Sequence, residues 1–185
     1  MKNYATTILL WASVFSAPET LAEGFTLSSA TLSGQITNRQ VFNGFGCSGE
    51  NVSPQLTWKG VPVGTKSFAV TVFDPDAPTG GGWWHWLVFD IAAKVRGLSE
   101  NAGNTALKVP LTAPESIQSV TSFGASGFGG ACPPKGDAPH QYVFTVYALS
   151  IETLGLADDA TPALVGFYLN ANALAKASLI AYYAR

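Results

Sequence analysis

Residues 67–91 read SFAVTVFDPDAPTGGGWWHWLVFDI, two apolar runs hinged on a turn dense in Asp, Pro and Gly. In the first run, Ser67 to Asp74, Phe68, Val70 and Val72 fall on one face and Ala69, Thr71 and Phe73 on the other. Both faces are apolar, which marks a strand buried between two layers rather than one half-exposed to water. The second run, Trp83 to Ile91, is aromatic and β-branched and reads as its partner strand. A third run, His140 to Leu149 (HQYVFTVYAL), sets Tyr142, Phe144, Val146 and Ala148 against Val143, Thr145 and Tyr147.

Between these strands lie loops of Gly, Pro, Ser and Asn, among them Val61 to Thr65 and the long polar stretch from Ser99 to Gly130. A loop of that length in a compact domain is usually functional or partly mobile. The last part of the chain reads as helix. Thr161 suits an N-cap and Pro162 the first helical position. Leu164, Phe167, Tyr168, Ala171 and Leu174 keep three- and four-residue spacing, and the helix is expected to run on to Ile180, Ala181, Tyr182 and Tyr183. The simplest architecture is an antiparallel β-sandwich closed at one end by a C-terminal helix.

The chain has 185 residues, 47% hydrophobic and only 12% charged, with a net charge of −2. That supports one folded domain and excludes disorder. No basic run is present, which argues against nucleic acid and against an anionic membrane surface. Lys2 precedes an apolar run from Ala5 to Phe15, and small residues lead to Ala22. This pattern predicts a signal peptide over residues 1–22, a mature domain over 23–185 beginning at Glu23, and a periplasmic or secreted protein. The run is too short for an ordinary membrane span, and no later segment is long and apolar enough for one. In an oxidising compartment Cys47 and Cys132 become a disulfide candidate, with two free thiols as the alternative.

Two segments carry polar groups out of keeping with their surroundings. In DPDAPTGGGWWHW, Asp74 and Asp76 flank a proline at the end of a buried strand, and His85 sits among Trp83, Trp84 and Trp86. In GFGGACPPKGDAPHQYVF, Gly129 and Gly130 admit close backbone approach, Pro133 and Pro134 stiffen the loop, and His140 and Tyr142 share a strand face. An Asp beside Pro is also a turn-former, and a His among tryptophans is also a core residue. What favours a site is that both histidines of the chain open strands that follow rigid loops.

These two segments, with CSGENVSPQLTWKGVPVGTKSFAV upstream, resemble the signature blocks of the phosphatidylethanolamine-binding proteins, most of all the bacterial branch called Raf kinase inhibitor-like. The resemblance runs from about Phe45 to Leu149. It implies Greek-key connections and a small pocket at one end for phosphate, acetate or a phosphorylated lipid head group. By the same resemblance Asp74, Asp76, His85, Gly130, Cys132, Pro133, Pro134, His140 and Tyr142 line that pocket. Gln141 stands where the family commonly has Arg. Anion binding is then expected to rest on histidine N–H groups, the backbone N–H groups of the glycine loop and the tyrosine hydroxyl. Asp74 is expected to hold a histidine tautomer and to keep His85 and His140 protonated against the burial that opposes it. The expected partner is a small anionic ligand, with no metal or cofactor. A protein partner and a homodimer are both compatible with this reading. Two other functions compete: a kinase- or protease-inhibitor-like protein acting through its surface with a vestigial pocket, and a His/Asp hydrolase, with or without a metal on the two histidines and the Asp pair. No nucleophile elbow and no HExxH supports the hydrolase, so a non-enzyme is expected.

Overall fold

The computed structural model describes residues 24–106 and 116–185. The expected signal segment and its cleavage point lie outside the described residues. Among the described residues ten strands and one helix follow in order: β1 (Thr26–Ser28), β2 (Asn43–Gly44), β3 (Cys47–Ser48), β4 (Leu56–Lys59), β5 (Ser67–Asp74), β6 (Trp83–Ala92), β7 (Gly97–Leu98), β8 (Ile117–Gln118), β9 (His140–Leu149), α1 (Pro162–Asn172) and β10 (Ala173–Tyr183).

The main sheet has the order β10-β9-β5-β6-β8, with every neighbouring pair antiparallel. Within it β9 returns by a long connection to lie beside β5, and the order β9-β5-β6-β8 is of Greek-key type. A small sheet, β1-β4-β7, packs on one face and α1 on the other. Phe68, Val70 and Val72 of β5 therefore enter one core with Trp58, Trp86 and Phe144. Ala69 enters the second core with Leu87, Leu149, Val165 and Leu169. The two apolar faces of β5 are thus explained by layers on both sides. A bulge in β6 sends Phe89 and Ile91 into different cores. There the β5 partner shifts from Val88 to Ile91 over two residues, and Asp90 takes a φ of 57°.

Two expectations for the C-terminal region are corrected. Thr161 does cap α1, accepting from the Leu164 N–H, but the helix stops at Asn172. Residues 173–183 form an edge strand that pairs with the whole of β9. Alanines at 173, 175, 177 and 181 suggest helix by propensity, but their period of two puts Ala177 and Ala181 into the core while Leu174, Ile180 and Tyr182 stay exposed. The buried face of α1 is also different from the expected one. Val165 and Leu169 are fully buried, whereas Phe167 is 68% exposed. The helix covers a sheet face rather than closing one end.

Candidate functional site

The C-terminal end of β5 and the N-terminal ends of β6 and β9 meet at one edge of the main sheet, because neighbouring strands are antiparallel. That edge floors a cavity of about 220 Å³. Asp74 ends β5, Trp83 and His85 open β6, and His140 and Tyr142 open β9; all five line the cavity. Ala77, Pro78 and Thr79 come from the turn between β5 and β6. Thr79 Oγ1 donates to the Gly82 carbonyl at 2.6 Å and tightens that turn. Gly82 is required there: its φ is 71°, and a Cβ would lie 2.6 Å from the Asp74 carbonyl oxygen. Cys132, Pro133 and Pro134 form the opposite wall, and Phe45 and Phe123 the rim.

The rim is assembled from distant segments. The Cys47–Cys132 disulfide forms, with the two Cα atoms 6.0 Å apart, and brings the β2–β3 hairpin to the pocket. Phe45, at the tip of that hairpin, stacks on Phe123 at 5.8 Å. Phe123 in turn meets Trp83 edge-on at 5.3 Å. The loop that carries Phe123 is held to β6 by the Ser122 N–H to the Trp84 carbonyl and the Trp84 N–H to Ser122 Oγ. Sequence reasoning missed Phe45 and Phe123, which stand in glycine-rich loops far from the strands they cap. Of the three tryptophans around His85, only Trp83 lines the cavity. Trp84 packs on Phe73, and Trp86 is fully buried with its indole N–H on Gln118.

The structure gives Asp76 and Gly130 supporting positions outside the lining. Asp76 Oδ2 accepts from the Gln141 N–H at 2.7 Å, and its own N–H donates to Asp74 Oδ1 at 2.9 Å. It therefore ties the β5 turn to the start of β9. Gly130 meets protein backbone rather than ligand, since a Cβ there would lie 2.2 Å from the Gln40 carbonyl oxygen. The glycine-loop N–H groups are also spent. Gly129 donates to the His85 carbonyl, Gly130 to Asn51 Oδ1 and Ala131 to the Gln40 carbonyl. Asn51, another residue the sequence did not flag, also donates to the Phe128 carbonyl and so clamps this wall. The expected backbone donors for an anion are thus unavailable at these three residues.

The two histidines differ. His140 is 3% exposed and has carboxylates at both ring nitrogens: Nδ1 lies 2.8 Å from Asp74 Oδ2, and Nε2 lies 3.4 Å from Asp137 Oδ2. Burial pushes its pKa down, but the hydrogen bond and charge of Asp74, with Asp137 and Asp76 behind them, outweigh burial and raise it. His85 Nδ1 lies 2.7 Å from the Gly129 carbonyl oxygen, and Nε2 has no hydrogen-bond partner. Burial brings its pKa down to about 4, against weaker opposing effects of the Gly129 and Gly130 carbonyls and the Asp74 charge. The expectation that the carboxylate would keep His85 charged is corrected: Asp74 bonds the other histidine. Tyr142 Oη is likewise buried without a hydrogen-bond partner. Burial raises its pKa, with the Asp74 charge adding to that, while the nearby Cys132 backbone lowers it. Among the described residues no Lys or Arg lines the cavity, and no group of three or more His, Cys, Asp or Glu is arranged to hold a metal ion.

A three-layer β fold with a small pocket at the sheet edge, walled by an Asp–His pair and a Cys-Pro-Pro segment, defines a class of compact pocket-bearing domains. The chain belongs to the phosphatidylethanolamine-binding protein family, whose model matches residues 31–184. It is 49% identical over 184 residues to UPF0098 protein YbcL of Escherichia coli K12, covering 99% of this chain and 98% of that one. The crystal structure of E. coli YbcL, described as a new member of the mammalian PEBP family, superposes with a TM-score of 0.84 over 88% of this chain and 99% of that one. UPF0098 protein YbhB of the same organism is 46% identical, over 80% of this chain and 92% of its own length. LppC of Mycobacterium tuberculosis H37Rv, named as a lipoprotein, is 38% identical over 58% of this chain and 48% of its own length. No described helix is long and apolar enough to cross a membrane.

Proposed function

We propose that this chain is an exported binding protein whose pocket holds a small oxyanion, such as phosphate or a phosphorylated head group, and that it binds rather than transforms it. One observation carries this reading. Two residues that line the cavity each carry a buried side-chain polar atom with no partner, His85 Nε2 and Tyr142 Oη. Buried polar groups in folded proteins nearly always have partners, so a pair left open on one small cavity marks the place of a ligand. Asp74 raises the pKa of His140 and so favours positive charge at the same cavity, and the Phe45, Phe123 and Trp83 rim supplies the apolar surround usual in small-ligand sites. The apolar run after Lys2, the disulfide and the lipoprotein name of LppC support export to the envelope. Intact-mass measurement on a periplasmic fraction should find a chain beginning at or near Glu23.

The pocket is tested by calorimetric titration with O-phosphorylethanolamine. Saturable one-to-one binding is expected in the wild type, weakened about tenfold in Tyr142→Phe through loss of one hydrogen bond to a charged group. No heat of binding at any pH where the protein is folded would refute the assignment.

A further inference from the structure

We infer that the pocket selects the proton-bearing form of its oxyanion: a phosphate monoester as its monoanion, whose P–O–H donates to His85 Nε2. This rests on the oxyanion reading above and narrows it. The argument starts from the Gly129 carbonyl. A carbonyl oxygen only accepts, so the 2.7 Å contact fixes the ring proton of His85 on Nδ1. The same ring's Nε2 then presents a lone pair, and it is the atom left buried and unpartnered. A fully ionised oxyanion has only lone pairs to offer it. Two acceptors facing each other out of water repel, and each is left without its hydrogen bond. A ligand carrying one acidic O–H satisfies Nε2, while one of its remaining oxygens takes the Tyr142 hydroxyl.

The charges around the cavity agree. His85 interacts with the charges of Asp74 and His140 and with the Gly129 and Gly130 backbone, and it packs edge-on against the rings of Phe123 and Tyr142. His140 faces Asp74, Asp137 and Asp76. Tyr142 faces Asp74, Asp76 and Tyr183. The His140 ring is thus already matched by carboxylates, and no Lys or Arg stands among the described lining residues to balance a dianion. Burial holds His85 neutral throughout the neutral range, so the lone pair persists there. The consequence for ligand class is definite. A phosphodiester, the usual linkage inside a phospholipid head group, has one charge and no P–O–H, and it leaves Nε2 unsatisfied. A monoester, free or as a terminal phosphate on a lipid, satisfies it.

Three probes test this by calorimetric titration across mildly acidic to mildly alkaline pH. Methyl phosphate loses its second proton near about pH 6. Its affinity should be steady below that point and fall about tenfold per pH unit above it, as linkage of one bound proton requires. Methylphosphonate, whose second ionisation is higher, should show the same curve displaced to higher pH. Dimethyl phosphate matches the monoanion in charge but has no proton to give, and it should bind at least about tenfold more weakly at every pH. The ligand pair removes the protein from the comparison, since His140 titrates identically in both. If the methyl phosphate and methylphosphonate curves break at the same pH, or dimethyl phosphate binds as tightly as methyl phosphate, the proton-bearing ligand is wrong and the oxyanion site survives. If none of the three binds at any pH, both readings fall.

Discussion

His85 and His140 open β6 and β9, the two strands that flank β5, and line one cavity, yet their pKa values are shifted in opposite directions. On the β9 side, carboxylates at both ring nitrogens raise His140 above its usual range. On the β6 side, a backbone carbonyl and aromatic rings surround His85, and burial brings it down to about 4. Both residues are less than 5% exposed, but burial dominates at His85 while the Asp74 carboxylate outweighs it at His140. A buried histidine takes its bias from what its nitrogens face, and one pocket holds two rings shifted in opposite directions.

The largest way to break the comparison is to remove the carboxylate that creates it. Asp74→Ala leaves His140 buried with the partly exposed Asp137 as its ion-pair partner and Asp76 acting from farther off, and it also frees the Asp76 N–H. Breaking a buried pair this way costs about 3–5 kcal/mol. Urea unfolding at neutral pH should show that loss, and proton NMR should show the His140 midpoint falling toward that of His85. Unchanged stability and an unchanged midpoint would mean the pair is not what charges His140.

The second test is the sign of the pH dependence. Unfolded His85 takes a proton near 6.5 and the folded protein only near 4, so the unfolded state binds more protons between those values. Its contribution to stability is full above 6.5 and is lost on acidification, by about 3 kcal/mol in reaching pH 4. His140 runs the other way: its folded pKa is raised, so its contribution is full below 6.5 and is lost as pH rises through the folded value. Wild-type stability should therefore fall on the acid side more steeply than that of His85→Gln. Parallel curves for the two proteins would contradict a neutral buried His85.

Smaller effects sharpen the picture. Tyr142→Phe removes a buried hydroxyl that has no partner, so the ligand-free protein should be unchanged or gain about 1 kcal/mol while affinity drops. A loss of several kcal/mol would show that the hydroxyl is bonded in the empty protein. Asp137→Asn should cost least, under about 1 kcal/mol, because the Asp137 side chain is 41% exposed and 3.4 Å from His140. It should still lower the His140 midpoint measurably.

The central strands were legible because β5, β6 and β9 bury almost everything they carry, and their alternation is dense in β-branched and aromatic residues. The strand β10 was not, since alanine fills its inner face and local propensity there points to helix; only pairing with β9, distant in sequence, makes it a strand. At the site, the paired Asp-Pro segment and both histidines were readable as polar exceptions on rigid turns. The assignment of Asp74 to His140 rather than His85 was not, because it depends on register between β5 and β9. Phe45 and Phe123 were hidden for the same reason, as their meeting is made by a disulfide and by loop packing that no local pattern encodes.

That disulfide has a topological consequence. Cys47 and Cys132 lie 85 residues apart and close a ring that carries β4 through β8. The chain-entropy model gives a closure of this length about 4–5 kcal/mol. The ring also governs how the protein survives a protease. A single backbone cut anywhere between the two cysteines leaves both pieces covalently tethered, with Asp74 and His85 on the ring and His140 and Tyr142 on the tail that leaves it. Nicked protein should migrate as one band on a non-reducing gel and as two once a reductant is added.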